Sequence, residues 1–155
     1  MKYRTMQEEV DARTDRTGHC WLWTGYRHDR GYGQLLVDGS MWFAHRLAYE
    51  LANGAIPAGM QIDHRCHVRA CVRPSHLHAV TPMANQENRA GANRNSLSGV
   101  RGVSLNPRTR KWYARVTHQR RGHNAGPFKT MPEAEVAVVA LRNALFTNNL
   151  TDRQG

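Results

Sequence analysis

Short runs in which apolar and polar residues alternate dominate the first part of the chain. Residues 20–37 alternate aromatic and polar side chains around a Gly-Tyr-Gly triplet, a pattern typical of a β-hairpin. Asp38 and Gly39 then form a turn signal, which predicts a further strand at residues 41–44.

The next segment has helical composition and is followed by further strand signals. Residues 45–54 predict a helix that Asn53-Gly54 ends as a C-terminal cap. Residues 56–64 predict a short strand after a Pro-Gly loop, and residues 76–80 predict another. Thr81 and Pro82 have the chemistry of an N-cap and a first helical residue, so a helix is expected to about residue 89.

A basic stretch rich in Gly, Asn and Ser separates these elements from a second group. Beyond it, strands are predicted at residues 99–106, 111–118 and 123–129, with a helix over residues 132–146. The fold class expected is therefore α+β, with a first domain over residues 1–90, a linker over 91–98 and a second domain over 99–150.

Charge gives the first indication of a partner. The 155 residues carry a formal net charge of +10, and the basic residues are spread along the whole chain. Such a balance is typical of proteins that bind polyanions, of which nucleic acid is the default. No run approaches the roughly 20 apolar residues of a membrane span, and the N-terminal residues lack the apolar core of a secretion signal.

The cysteines indicate a metal rather than a disulfide, because their number is odd. Four residues separate Cys66 from Cys71, and four separate Cys71 from His76. Thiolate and imidazole are the ligands that zinc prefers, and a structural site takes four of them tetrahedrally. Cys20 is the first candidate for the fourth position, with His19 and His67 as alternatives.

A second, different set of donors lies around the same loop. Asp63 ends a predicted strand and Asn85 lies in the following helix, and both offer the hard oxygen atoms that suit Mg²⁺. His64 projects from the opposite side of that strand, so it is not expected to share this ion. An imidazole near its free pKa can take a proton from water, and together with a cation it suffices for phosphodiester hydrolysis.

Residues 20 to about 89 resemble the HNH nucleases, which have the ββα-metal fold. The resemblance is carried by residues 63–85 and by a leader that contains Cys-Trp-x-Trp-Thr-Gly, Gly-Tyr-Gly and His45-Arg46. It is closest to the His-Cys box homing endonucleases and to phage HNH proteins. It implies that His64 is the general base and that Asn85 holds the catalytic Mg²⁺, with Asp63 as a second ligand typical of the HNH group. The implied zinc ligands are Cys20, Cys66, Cys71 and His76.

Two features of the resemblance concern residues near these ligands. His76 occupies the middle position of the motif, usually asparagine, and zinc would replace the hydrogen bond of that asparagine. The family also places an arginine near the scissile phosphate, for which the candidates are Arg27, Arg30 and Arg46. His45 is either an active-site polar group or a capping residue of its helix.

The second half resembles the DNA-binding domain of plant ethylene-response factors and phage domains like it. The matching residues include the Arg-Gly-Val, Lys-Trp-Tyr-Ala, Gly-Pro-Phe and Pro-Glu-Ala runs. The resemblance implies a three-stranded sheet that lies in the DNA major groove, with a helix packed behind it. It directs Arg101, Ser104, Arg115 and Thr117 to the groove, and directs Arg108, Arg110, Arg120 and Arg121 to phosphates. Trp112 is expected in the core, packed on Val136, Val139 and Ala140.

Three functions are consistent with these patterns. The leading hypothesis is a site-specific, Mg²⁺-dependent DNA endonuclease of homing or phage type, acting in the cytoplasm of a bacterial host or phage-infected cell. Its partner is double-stranded DNA, and a palindromic target would imply a homodimer. The main alternative is a non-catalytic, zinc-stapled DNA-binding protein. A small RNA-binding or structural zinc protein is the third, but it leaves Asp63, His64 and Asn85 without a task.

Overall fold

The computed structural model describes residues 5–89 and 91–153, and the chain divides into two compact units between Asn85 and Gln86. Both units combine short helices with small antiparallel sheets, so the predicted mixture of helices and sheets is confirmed. No helix within the described ranges is long and apolar enough to span a bilayer. The predicted first boundary, residue 90, lies outside those ranges.

The first unit contains three two-stranded antiparallel sheets, with β1 paired to β2, β3 to β4, and β5 to β6, together with short helices. α3 begins in this unit and ends in the second. In chain order the elements are α1 (Met6–Ala12), β1 (Thr14–Asp15), β2 (Leu22–Trp23), β3 (Gln34–Val37), β4 (Ser40–Phe43), α2 (Ala44–Asn53), β5 (Gln61–His64), a 3₁₀ turn (Pro74–His76), β6 (Leu77–Val80) and α3 (Pro82–Glu87).

The core of the first unit forms around Trp23, which is fully buried. Two glycines make room for its indole, since a Cβ on Gly33 would lie 2.5 Å from Trp23 Cδ1 and one on Gly25 would lie 2.9 Å from the ring. The indole Nε1 donates a hydrogen bond to the carbonyl of Tyr26 at 3.0 Å, so its polar atom is satisfied inside the core. The other buried apolar residues are Val10, Leu35, Ala44, Leu47, Ala48, Ile62, Val72 and Leu77.

The β5–β6 hairpin divides the polar residues at its end between two faces. Ile62 pairs with Ala79, Asp63 with His78, and His64 with Leu77. Because successive side chains of a strand point to opposite faces, Asp63 shares a face with its cross-strand partner and His64 lies on the other.

The second unit is a three-stranded antiparallel sheet with a helix on one face. Its elements are β7 (Val103–Asn106), β8 (Lys111–His118), β9 (Arg121–Phe128), α4 (Met131–Leu145) and α5 (Leu150–Arg153), in sheet order β7-β8-β9. Thr130 caps α4 by accepting a hydrogen bond from the Glu133 amide. The buried apolar residues are Val103, Ala114, Val116, Ala134, Val138 and Phe146.

Buried polar residues tie the start of this unit to its end. Glu87 is 3% exposed, and its Oε2 accepts hydrogen bonds from the amide and hydroxyl of Thr147 and from the amide of Asn148. Its Oε1 lies 3.2 Å from His118 Nδ1. Arg142 pairs with Asp152 and donates a 2.6 Å hydrogen bond to the Arg101 carbonyl. These bonds hold the first residues of the unit to its last helices.

Several predicted elements are confirmed, and others need correction. The turn at Asp38, both helices at residues 45–54 and 132–146, and the Thr81 cap are present. The segment 20–37 does not form one hairpin, because its first strand pairs with β1 while its last residues form the β3–β4 hairpin. Trp112 is half-buried against the core, but the predicted helix face is wrong. Val136 is 72% exposed, and the phase set by the Thr130 cap buries Ala134 and Val138 instead.

Candidate functional site

Strand β2 brings Cys20 to the loop that carries Cys66 and Cys71. The amide of Trp23 donates to the Ala70 carbonyl and the amide of Val72 donates to the Trp21 carbonyl, both at 2.8 Å. This pairing holds Cys20 next to Cys71 across some fifty residues of sequence. The four predicted zinc ligands, Cys20, Cys66, Cys71 and His76, accordingly form one cluster whose donor atoms all lie within 4.8 Å of one another.

The spacing of the donor atoms matches a tetrahedral ion. His76 Nδ1 lies 3.7 Å from Cys20 Sγ and 3.5 Å from Cys71 Sγ. For zinc bonded to sulfur at about 2.3 Å and to nitrogen at about 2.0–2.1 Å, the edge between two ligands is about 3.6 Å. Sulfur and imidazole are also the donor chemistry of structural zinc, so the residues fit this ion.

The thiols are protonated when no metal ion is bound. Burial, with the neighbouring thiols, raises the pKa of Cys71 to about 12, and burial also raises the pKa of Cys20. A metal ion that coordinates such thiols deprotonates them outright. The two alternatives for the fourth ligand are not among the clustered donors: His19 is exposed with its ring 4.6 Å from that of His76, and His67 is exposed on the loop.

His64 is buried beside this cluster and is held in one orientation. It is 5% exposed, and its Nε2 lies 3.0 Å from the carbonyl oxygen of Cys71. A carbonyl only accepts hydrogen bonds, so Nε2 carries the proton and Nδ1 is the basic atom of the neutral ring. Burial lowers the pKa of His64, although the Cys71 carbonyl and the Asp63 carboxylate act in the opposite direction. The neutral form therefore dominates at neutral pH.

Two aromatic rings, those of His45 and Tyr32, lie beside His64. The ring of His45 lies 4.9 Å from that of His64, and the Tyr32 ring lies 5.2 Å from His45 and 6.0 Å from His64, measured between centroids. His45 is 7% exposed at the start of α2, and its buried Nδ1 has no hydrogen-bond partner among the described residues. Burial, followed by the charges of His64 and Arg46, lowers the pKa of His45 to about 3. His45 is therefore a neutral ring of the site rather than a helix cap, since Phe43 holds the cap position.

On the opposite face of β5, the Asp63 carboxylate has a histidine near each of its oxygen atoms. Oδ1 accepts a 2.8 Å hydrogen bond from the amide of His64, and Oδ2 lies 3.9 Å from Nε2 of His78. Asn85 reaches the same strand from α3, because its Nδ2 donates a 2.7 Å hydrogen bond to Oε1 of Gln61. The amide nitrogen of Asn85 only donates, so the side-chain oxygen is its acceptor atom. The carboxylate of Asp63 on β5 and the amide oxygen of Asn85 on α3 are of the ligand type that suits Mg²⁺.

The three candidate arginines of this unit differ in their engagement. The Arg27 guanidinium donates to the Trp23 carbonyl, and Arg30 is exposed with its carbonyl bonded to Arg69. Arg46 is half-buried on α2, where its charge acts on His45. Of the three, Arg46 is the half-buried one, and it is adjacent to His45 in the sequence.

In the second unit, three of the four predicted groove residues lie on the sheet face that the helix does not cover. Ser104, Arg115 and Thr117 are exposed, whereas Ala114 and Val116 alternate with them on the buried face. Arg101 is placed differently. Its guanidinium donates to the carbonyls of Gln86, Glu87 and Arg89 and lies 5.6 Å from the Phe146 ring centroid. These bonds close the C-terminal end of α3 and do not favour a groove contact for Arg101.

Sequence reasoning missed two residues of the first unit that the fold brings to the site. Tyr32 was noted only as part of a Gly-Tyr-Gly turn, and its position beside His45 and His64 depends on contacts across the fold. No sequence motif gives His78 a role, yet it is the cross-strand partner of Asp63. The signal that could have identified it is the alternation of side chains along the two predicted strands, residues 56–64 and 76–80, because pairing these strands would place a residue of the second opposite Asp63.

Two comparisons with known proteins concern this part of the chain. Residues 43–87 match the family described as HNH endonuclease, a segment that includes His45, Asp63, His64 and Asn85. The chain is also 37% identical over 68 residues to Protein 7.7 of Escherichia phage T7, across 44% of this chain and 52% of that protein. The chain thus spans about half the length of this curated relative, and no solved structure matches it significantly. The match of residues 43–87 to the HNH endonuclease family and the similarity to the phage protein support a nuclease-type function.

Proposed function

We propose that the chain is a Mg²⁺-dependent DNA endonuclease in which His64 is the general base. The observation that supports this proposal most strongly is the double use of Cys71. Its thiol belongs to the four-donor cluster, and its carbonyl fixes the tautomer of His64 at 3.0 Å. A zinc ion held by that cluster would therefore orient the base, which is the positioning that general-base catalysis requires.

In the first unit, His64 on one face of β5 would act as the base, and Asp63 on the other face would help to hold Mg²⁺. His64 takes a proton from water at Nδ1, because its Nε2 is occupied by the Cys71 carbonyl. Asp63 and Asn85 would hold Mg²⁺ through their oxygen atoms, and Mg²⁺ when bound supplies positive charge to the phosphate under attack. Arg46 adds charge near His45, where it would stabilise the phosphate.

The second unit would bind the DNA target through its open sheet face. Strands can enter the major groove, where arginine that reads guanine is the commonest specific contact. Arg115 is exposed on this face and its guanidinium lies over Gly122, since a Cβ there would be 3.3 Å from Nη2. The exposed Arg108, Arg110, Arg120 and Arg121 would add phosphate contacts, in keeping with the net charge of +10. An ethylene-response-factor-like mode of binding is part of this proposal.

The biological setting belongs to the same proposal. The match to a phage protein supports action in the cytoplasm of a bacterial or phage-infected cell. A homing role would follow from cleavage at a single long target, and a homodimer from cleavage at a palindrome.

The test is cleavage of plasmid and phage DNA by a matched pair of histidine variants. His64→Asn should lower the single-turnover cleavage rate by about 10²–10⁴-fold, the usual contribution of a general base. His67→Asn makes the same change three residues away, on an exposed residue whose φ of 55° asparagine tolerates. The His67→Asn variant should cleave at the wild-type rate. EDTA should stop cleavage by the wild type and by His67→Asn.

Two results would contradict the proposal. Equal activity of the two variants would exclude His64 as the base. DNA binding without any Mg²⁺-dependent cleavage by the wild-type chain would instead favour the zinc-stapled DNA-binding protein.

A further inference from the structure

A histidine to which the HNH resemblance gives no role faces the aspartate of the candidate Mg²⁺ site. His78 on β6 is the direct cross-strand partner of Asp63 on β5. Directly opposed side chains of an antiparallel pair project from the same face. His78 Nε2 lies 3.9 Å from Asp63 Oδ2. The imidazole nitrogen and the carboxylate oxygen are therefore neighbours on the face that Asn85 approaches through Gln61.

The separation of these two atoms suits a shared ion better than a direct bond. A nitrogen-to-oxygen hydrogen bond spans about 2.7–3.2 Å, so 3.9 Å is too long for one. Neighbouring ligands of an octahedral cation at about 2.1 Å lie about 3.0 Å apart. Small rotations of either side chain would bring the pair to that span around one cation.

The other ring nitrogen of His78 gives an independent indication. The side chain is 19% exposed, yet Nδ1 is buried and has no hydrogen-bond partner among the described residues. Burying a polar atom without a partner costs about 1–3 kcal/mol. A ring retained at this cost needs a favourable interaction elsewhere, and Nε2, which faces Asp63, is the atom available for it.

We propose that His78 is a ligand of the same divalent cation as Asp63, through Nε2. This inference rests on the proposed function, because it concerns the cation that Asp63 and Asn85 would hold. An imidazole donor suits transition metals, whereas carboxylate and carbonyl oxygen suit Mg²⁺. The site with His78 therefore prefers Mn²⁺ to Mg²⁺, and the preference depends on the imidazole.

The test measures cation binding to the full, zinc-loaded chain in the absence of DNA. Calorimetry with Mn²⁺ and with Mg²⁺ gives the ratio of the two affinities for the wild type, for His78→Phe and for His123→Phe. Phenylalanine keeps a ring but removes the donor, and His123 is a half-buried strand histidine of the second unit. We expect His78→Phe to lose Mn²⁺ affinity by about tenfold or more, since even partners of metal ligands contribute about 10–100-fold. Mg²⁺ affinity should fall less, and His123→Phe should change neither.

A spectroscopic measurement separates coordination from a structural role. Electron spin echo spectra of bound Mn²⁺ should contain the modulation of a directly bonded imidazole nitrogen. The signal should persist in His64→Asn and disappear in His78→Phe. A wild-type spectrum without nitrogen modulation would overturn the proposal even if His78→Phe fails to fold. So would an unchanged ratio of Mn²⁺ to Mg²⁺ affinity in a folded His78→Phe.

These measurements also separate the role of His78 as a cation ligand from the proposed nuclease activity. Nitrogen-ligated Mn²⁺ in a chain that cleaves no DNA would uphold His78 as a ligand and refute the proposed function. Metal-dependent cleavage by a chain whose Mn²⁺ has no nitrogen ligand would uphold the function and refute the role of His78.

Discussion

Replacing His76 by asparagine should unfold the first unit, whereas the same change at His19 should not. His76 supplies the only nitrogen among the four clustered donors, and its Nδ1 lies 3.5 Å and 3.7 Å from two of the sulfur atoms. His19 is exposed and its ring centroid lies 4.6 Å from that of His76, but it is not one of the clustered donors. The two variants therefore separate loss of a metal ligand from loss of a neighbouring ring.

The expected magnitude follows from the size of the unit. A domain of this length is stable by roughly 0.05–0.15 kcal/mol per residue, which is about 4–13 kcal/mol for the unit that ends at Asn85. Structural zinc contributes apparent binding energies of about 10–16 kcal/mol in small zinc domains. Because the two quantities are of similar size, losing the zinc should remove most or all of the stability of the first unit. The second unit has its own buried core and should remain folded.

Hydrogen exchange measured by mass spectrometry is the appropriate assay, because it reports the two units separately. In His76→Asn, peptides from residues 20–25 and 61–80 should lose protection, while peptides from β8 should keep it. His19→Asn should retain protection in both and should bind one zinc per chain. A His76→Asn protein that keeps one tightly bound zinc and wild-type protection in the first unit would refute the assignment.

Three further predictions concern residues away from the zinc cluster. Burial lowers the pKa of His45 to about 3, so the folded state holds this ring neutral while the unfolded state takes up a proton below its pKa near 6.5. The wild type should therefore lose about 2 kcal/mol of unfolding free energy through His45 between pH 7.5 and pH 5. Urea titrations of His45→Phe should lack this part of the pH dependence. Gly33→Ala should lower the free energy of unfolding by about 1–3 kcal/mol, because its Cβ would lie 2.5 Å from Trp23, whereas Gly18→Ala meets only an atom at 3.8 Å and should be neutral. Arg115→Ala should lower affinity for the DNA target by about 1–3 kcal/mol and relax its specificity, whereas Arg110→Ala should weaken binding to all sequences alike in fluorescence titrations.

The zinc cluster could be predicted from the sequence because few residue types make a zinc site. Cys66, Cys71 and His76 lie within one loop, and Cys20 was the remaining cysteine. The alternation of a β-strand also sufficed to place Asp63 and His64 on opposite faces.

The surroundings of the base could not be predicted in the same way. Tyr32 and His45 reach His64 through the packing of α2 and of the loop before β3, which no local pattern encodes. Glu87 has its hydrogen-bond partners about sixty residues later in the chain, and no local pattern indicates that pairing. The engagement of Arg101 with the end of α3 depends on the same long-range packing.

The most direct test of the account is the protonation state of His64, determined by ¹⁵N NMR of its ring in the zinc-loaded chain at pH 7. The Cys71 carbonyl at 3.0 Å and the burial of the ring predict a neutral imidazole with its proton on Nε2 and a bare Nδ1. Removal of zinc should then shift both ring nitrogen resonances of His64, because Cys71 would bind the zinc through its thiol and bonds His64 through its carbonyl. A ring protonated on Nδ1, or an imidazolium at pH 7, would contradict the assignment of His64 as a general base oriented by the zinc loop.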